Sequence, residues 1–218
     1  MKINVPEFST QKELFDYLIK NEVAIVDLKK SEIKQADSVD FNYTERSETF
    51  KSAVGVSRAN DTETEINRTI VGNTYLWMDS HDDVHLENIF SNSIKQKTAA
   101  RINHLHDHKN QLDARIGKFS KVYEPNLAWT DLGVNRPGET QALLADSAIK
   151  SALNKKIFGM YKADEIDQHS VGMRYITVDL ALNDPNSPKQ YALWTSILPK
   201  MGNPERATKK GYFWAVKE

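Results

Sequence analysis

The chain has 218 residues, with 29 lysines and arginines against 30 aspartates and glutamates, and a formal net charge of −1. No field of one sign is strong enough to indicate a nucleic acid or an anionic membrane as the partner, so a protein surface or a neutral substrate fits better. Hydrophobic residues make up 39%, and the length suits one globular domain, or one domain with an appendage.

Cysteine is absent from the chain. Its absence excludes disulfide bonds, thiolate metal sites and a cysteine nucleophile. The N-terminal residues lack the apolar core of a signal peptide, and no apolar run approaches transmembrane length. We therefore expect a protein made and used in a cytoplasm.

The first 45 residues differ in pattern from the rest. Thr10 and Glu13 have the spacing of a capping box, and Leu14, Phe15 and Leu18 follow on one helical face. A second short helix is predicted in the charged segment 29–39. Two such helices can hardly form a core, so residues 1–45 are predicted to be a helical arm packed on the main domain. A removable or partner-binding segment is the alternative.

From about residue 48 the pattern favours strands, which are rich in β-branched and aromatic residues. Strands are predicted, in chain order, at 50–58, 68–72, 73–79, 116–124 and 171–182, with a terminal pair at 190–197 and 211–217. Helical spacing appears at 85–97 and in the middle of 144–166. Strands outnumber the scattered helices, so residues 46–218 are predicted to form an α+β domain with a mainly antiparallel sheet or barrel.

Three of the six histidines, His104, His106 and His108, alternate within five residues. On a strand they would project to one side, where neutral imidazoles can bind zinc or iron. The spacing resembles the H-x-H-x-D-H signature of metallo-β-lactamase-like hydrolases but is one residue short, and no histidine follows His169 to complete the ligand set. A metal-dependent hydrolase that uses this cluster therefore ranks below the two hypotheses that follow.

An acidic stretch also invites a cation. Asp79, Asp82 and Asp83 lie beside His81 and His85. Their spacing does not match an EF-hand loop, and no glycine supplies the turn. We favour an acidic loop before the helix predicted near Leu86, where negative charge suits the helix N-terminus.

Ser170 is the best-placed serine for nucleophilic catalysis. It precedes a predicted strand, and Gly172 would let backbone approach a ligand closely. A nucleophilic serine also needs a histidine base, a group to orient that base, and donors for the oxyanion. The residues alone leave this hypothesis open.

Three segments in order resemble the prohead proteases of tailed phages. Residues 73–96 resemble the strand and Asp-x-x-x-Asp-Val loop of that family, followed by a short helix whose phenylalanine is matched by Phe90. Residues 102–119 resemble its L-x-x-H segment, which leads to Ile-Gly and a strand. Residues 168–175 resemble its S-[IV]-G-[FM] segment. The resemblance covers residues 65–180, and the shared order carries most of its weight.

The resemblance implies a serine endopeptidase with a herpesvirus-assemblin-like β-barrel, which processes scaffold and capsid proteins, and often itself, inside the procapsid. Ser170 would be the nucleophile and His108 the general base, with His106 as the alternative base. Backbone N–H groups at Val171 or near Gly117 would form the oxyanion hole. Capsid and scaffold proteins would be the partners; no cofactor is expected, and a homo-oligomer is left open.

The third member of a triad is the point of departure from this family. The family continues to a strand that carries a glutamate, whereas this chain ends at GYFWAVKE. The orienting group could be Glu218 as a stand-in, Asp179, Asp184 or another histidine. Alternatively, the 218-residue form is truncated by its own processing. A domain without its last strand and without an orienting acid would also fit a non-catalytic head or scaffold-associated protein.

Overall fold

The computed structural model describes residues 5–36, 61–109, 111–166 and 169–218. The strand predicted at 50–58 lies outside these residues. The chain divides into two compact units. The first takes its residues from Met1–Asp37, Tyr75–Ile89 and Val171–Glu218, and the second from Ser38–Thr74 and Phe90–Ser170. This grouping differs from the predicted division at residue 45.

The described helices and strands are numbered in chain order. The helices are α1 (Gln11–Lys20), α2 (Glu22–Ser31), α3 (Ser91–Gln96), α4 (Lys155–Lys162), α5 (Pro188–Ile197) and α6 (Pro204–Lys210). The strands are β1 (Lys34–Ala36), β2 (Glu65–Thr74), β3 (Asp83–His85), β4 (Asn103–Leu105), β5 (Arg115–Tyr123), β6 (Asn126–Ala128), β7 (Glu139–Lys150), β8 (Val171–Met173), β9 (Val178–Leu182) and β10 (Tyr212–Val216).

The first unit begins with the predicted capping box, which is confirmed. The Thr10 hydroxyl accepts from the Glu13 amide at 3.2 Å, and the Glu13 carboxylate accepts from the Thr10 amide at 3.1 Å. α1 then buries Phe15 and Leu18. The second predicted helix is displaced: α2 starts at Glu22, and the charged segment 29–39 includes β1, which pairs antiparallel with β8.

The sheet of the first unit has the order β3-β10-β9. β10 lies in its centre, parallel to β3 and antiparallel to β9, and its five residues are all buried. The strand predicted at 211–217 is therefore confirmed.

Two other predictions for the first unit are wrong. Residues 190–197 form most of α5, because Pro188 starts a helix and Trp194 and Ile197 share its buried side at i,i+3 spacing. The long strand at 171–182 is interrupted between β8 and β9, where the Ile176 and Thr177 amides both donate to the Glu218 carbonyl oxygen.

The second unit is built on an antiparallel sheet of order β2-β7-β5-β4, with β6 also paired to β7. It curls as a half-barrel. Its central strand β7 was not predicted, since the alanine- and leucine-rich segment from 144 onward has helical propensity. Pairing with β2 on one side and β5 on the other decides the conformation there.

The helices of the second unit are shorter than their sequence patterns. α4 appears within 144–166 as predicted and buries Phe158 and Tyr161 against Ile66, Ile116 and Ile149. The helix predicted at 85–97 is reduced to α3, because His85 belongs to β3 and residues 87–90 form turns.

The described structure is therefore α+β with a curled, mainly antiparallel sheet and flanking helices, which confirms the fold class at that level. No helix in the described ranges is both long and apolar enough to cross a membrane.

Candidate active site

Ser170 and His108 lie together in the second unit, although 62 residues separate them in sequence. Ser170 directly precedes β8, and its Oγ is hydrogen-bonded to Nε2 of His108. The imidazole is half-buried. A serine hydroxyl on a ring nitrogen of histidine is the contact that a nucleophile and its general base require.

His108 reaches this position through the loop between β4 and β5. β4 ends at Leu105, and Asp107 and His108 both adopt left-handed backbone conformations, with φ of 53° and 51°. The His106 amide donates to the Ala114 carbonyl oxygen at 3.0 Å and closes the loop. Residues 102–108 therefore do not form one alternating strand, which the metal-site hypothesis would require, because left-handed residues cannot continue a β-strand.

Burial lowers the pKa of His108 below its ordinary value of 6.5, and the nearby Asp107 carboxylate opposes this by raising the pKa. Desolvation dominates, so the imidazole is neutral at pH 7. A neutral ring can leave Nε2 unprotonated, and the Ser170 hydroxyl can then donate to it. This is the protonation state in which His108 can accept a proton.

The other two histidines of the cluster have different partners. His106 Nδ1 lies 3.4 Å from Asp107 Oδ2, and Lys109 contacts the same carboxylate at 3.3 Å. His104 is buried. Within the described ranges no three histidine, aspartate or glutamate side chains are grouped as metal ligands. The one-sided cluster expected for a metal-dependent hydrolase is not formed, because the strand ends before His106.

His104 is part of a second hydrogen-bonded group that sequence reasoning missed. Its Nδ1 lies 2.8 Å from Ser147 Oγ and its Nε2 lies 3.2 Å from the Tyr161 hydroxyl, which in turn lies 2.8 Å from Nε2 of His169. Burial, and to a lesser degree the nearby His169, lowers the pKa of His104 to about 3. His104 is therefore a neutral, hydrogen-bonded side chain of the core.

The candidate orienting acids lie in the first unit, whereas Ser170 and His108 belong to the second. Asp179 forms an ion pair with Lys217. Asp184 accepts from the Asn186 amide at 3.0 Å and from the Ser187 hydroxyl at 3.2 Å, which lowers its pKa. In the part of the chain that the structure describes, no carboxylate is hydrogen-bonded to His108.

The two candidate oxyanion donors have distinct settings. Val171, the residue after Ser170, is the first residue of β8 and is paired with Ala36. Gly117 lies inside β5, with β4 on one side and β7 on the other. A Cβ there would lie 2.6 Å from the Ala148 carbonyl oxygen, so close packing accounts for the glycine. Both candidates therefore lie in paired strands.

The acidic stretch is a loop that leads into β3, not a cap on a helix. Asp79 Oδ1 accepts from the amides of His81 and Asp83 at 2.8 and 3.0 Å. The Asp83 carboxylate is paired with the buried ammonium of Lys29. The Asp82 carboxylate forms an ion pair with the Lys210 ammonium. The carboxylates therefore satisfy their own loop and the neighbouring lysines.

Sequence signals for the missed group were weak. His169 adjoins Ser170, but a histidine next to a serine has no specific meaning. Tyr161 follows the helical stripe of α4, where an aromatic residue indicates core packing. Ser147 and His104 come together through the pairing of β5 with β7 and of β4 with β5. Such long-range pairing is not visible in the sequence pattern.

Comparison of the chain with protein-family models, with curated proteins and with solved structures finds no match.

Proposed function

We propose that the chain is a serine endopeptidase in which His108 activates Ser170. The observation that carries the proposal is the hydrogen bond between Ser170 Oγ and His108 Nε2, formed between a loop and a strand entrance far apart in sequence. The lowered pKa of His108 supports it, because a neutral imidazole is the form that works as a base.

The chemistry is acyl transfer. His108 Nε2 takes the proton of Ser170 Oγ as this oxygen attacks the carbonyl carbon of a peptide bond, and the resulting imidazolium gives the proton to the departing amine. Water, deprotonated by the same nitrogen, then releases the acyl group and restores Ser170. An amide that faces the tetrahedral intermediate, with Val171 and Gly117 as the candidates, would stabilise its oxyanion.

The group is a Ser–His pair with no carboxylate hydrogen-bonded to His108 among the described residues. Asp107 supports it by charge alone, since its carboxylate raises the pKa of His108 and so favours the imidazolium that forms during the reaction. The proposed mechanism therefore needs neither Glu218 nor Asp179.

The proposed class is a prohead maturation protease with a herpesvirus-assemblin-like fold. Its support is the order of three motif-like segments between residues 65 and 180, together with a curled antiparallel sheet from which the loop of His108 extends. The substrates would then be capsid and scaffold proteins, and the place of action the procapsid interior.

A second candidate is a non-catalytic head or scaffold-associated protein with the same fold. It is favoured by one observation: in the described ranges, no acid orients His108. Such a protein would keep the Ser170–His108 contact as a structural hydrogen bond.

Co-expression of the chain with capsid and scaffold proteins of a tailed phage distinguishes the two candidates. We expect the unmodified protein to cleave them and Ser170→Ala to abolish cleavage, whereas Ser120→Ala, at an exposed serine of β5, should cleave normally. Cleavage that persists in Ser170→Ala would exclude Ser170 as the nucleophile. A lack of cleavage by the unmodified protein would favour the non-catalytic candidate.

A further inference from the structure

Each chain segment that carries a member of the proposed pair also carries a second histidine. His104 lies on β4, four residues before His108, and His169 immediately precedes Ser170. The Tyr161 hydroxyl is hydrogen-bonded to both, at 3.2 Å to His104 Nε2 and 2.8 Å to His169 Nε2. One phenol therefore links the two segments on which the pair depends.

Tyr161 is well suited to hold these segments in place. It lies on α4, is 4% exposed, and packs in the apolar cluster with Ile149 and Phe158. His104 is held in turn by stacking on Phe119, with ring centroids 5.2 Å apart, and by Ser147 Oγ at 2.8 Å. Both buried members of the group, Tyr161 and His104, are therefore packed against residues of the sheet.

The hydrogens of this group have only two consistent arrangements. A phenol carries one proton, so Tyr161 donates to one histidine and accepts from the other. His104 is neutral and carries one ring proton. If Ser147 donates to His104, then His104 donates to Tyr161 and Tyr161 donates to His169; if His104 donates to Ser147, every bond reverses. Loss of the phenol oxygen therefore breaks the chain of bonds whichever arrangement is present.

We propose that Tyr161 is a positioning residue that sets the contact between His108 and Ser170 by binding His104 and His169 together. The inference rests on the proposed function for its effect on rate, but its geometric part does not. Tyr161 acts through the two histidines to which it is hydrogen-bonded.

The test is Tyr161→Phe, which removes the hydroxyl and keeps the ring. Tyr123→Phe is the matched control, since Tyr123 belongs to the same unit and donates to Asp146 at 3.3 Å, outside this group. The ring-nitrogen NMR signals of His108 report its bond to Ser170 whether or not the protein is an enzyme. We expect them to move in Tyr161→Phe toward their positions in Ser170→Ala, and to stay unchanged in Tyr123→Phe.

A second readout is the rate at which a fluorophosphonate modifies Ser170, in which the Ser170 Oγ–phosphorus bond forms and fluoride leaves. We expect Tyr161→Phe to slow it about tenfold or more, because small displacements of reacting groups have large effects on rate, and Tyr123→Phe to leave it unchanged. If the unmodified protein does not react, the proposed function fails while the NMR signals still decide the positioning role.

The proposal is overturned if the His104 and His169 signals move in Tyr161→Phe, which shows that their bonds are lost, while those of His108 stay in place. Should Tyr161→Phe fail to fold, His169→Asn cuts the same linkage at a half-buried position and should displace the His108 signals in the same direction. Unchanged His108 signals in that variant would equally contradict the proposal.

Discussion

His108 can act as a base only while its imidazole is unprotonated, so its pKa sets the pH range of the proposed activity. Burial places that pKa below 6.5, and the Asp107 carboxylate limits the decrease. Asp107 raises the pKa of His108 through its charge and not through a hydrogen bond. A substitution that removes this charge therefore separates the effect of Asp107 on the pKa from the effect of burial.

We predict that the rate of Ser170 modification by a fluorophosphonate rises with pH and reaches half its maximum below pH 6.5. As pH rises through the pKa of His108 the imidazole loses its proton and becomes able to accept another. Asp107→Asn should lower the pKa further and move the midpoint to lower pH. Asp113→Asn, at an exposed position of the same loop, should leave the midpoint in place. A midpoint above 6.5, or a shift of Asp107→Asn to higher pH, would contradict this explanation.

At the same scale, the order of motif-like segments in the sequence is sufficient to select Ser170 and His108 as a candidate pair. The order of these segments does not predict that His104, His106 and His108 have different hydrogen-bond partners. These partners depend on the end of β4 at Leu105 and on the left-handed conformations of Asp107 and His108. Neither residue type demands that conformation, although aspartate and histidine tolerate it better than most.

At the scale of elements, the connection of α2 to β3 is the most informative contact of the first unit. Lys29 of α2 is 1% exposed and pairs with the fully buried Asp83 of β3. The Tyr175 hydroxyl donates to the same carboxylate at 2.9 Å. Because the two charges must be desolvated together, we expect α2 to stabilise the unit that contains Asp83.

We predict that Lys29→Met lowers the free energy of unfolding by about 3–5 kcal/mol, since it leaves the Asp83 carboxylate buried without its cation. Urea denaturation followed by circular dichroism measures the change. Lys20→Met, at an exposed position near the end of α1, should change stability by no more than about 0.5 kcal/mol. Equal, small effects of the two substitutions would show that α2 is peripheral, as in the alternative of a removable arm.

The elements that sequence patterns located best are those whose local signal agrees with their tertiary surroundings. The capping box of α1 and the buried strand β10 are of this kind. β7 and α5 are not. The helix-favouring composition around Leu144 is overridden by strand pairing on both sides, and the strand-like segment 190–197 is overridden by the helix start at Pro188.

For the whole molecule, the α+β class follows from counting strand-like and helix-like segments, but the grouping of those segments does not. Each unit is assembled from pieces that are distant in sequence, with the N-terminal helices in the same unit as β9 and β10. Periodicity describes one segment at a time and contains no information on which segments pair. The Ser170–His108 contact is a long-range feature of the same kind, and only the family resemblance pointed to it.

The most direct test of the central claim is mass-spectrometric detection of Ser170 modification by a fluorophosphonate in the unmodified protein, His108→Gln and His106→Gln. Activation by His108 predicts fast modification of Ser170 in the unmodified protein and in His106→Gln. In His108→Gln the rate should fall by about 10²–10⁴-fold, the usual contribution of a general base. Equally fast modification in His108→Gln, or modification of another serine in place of Ser170, would contradict the claim.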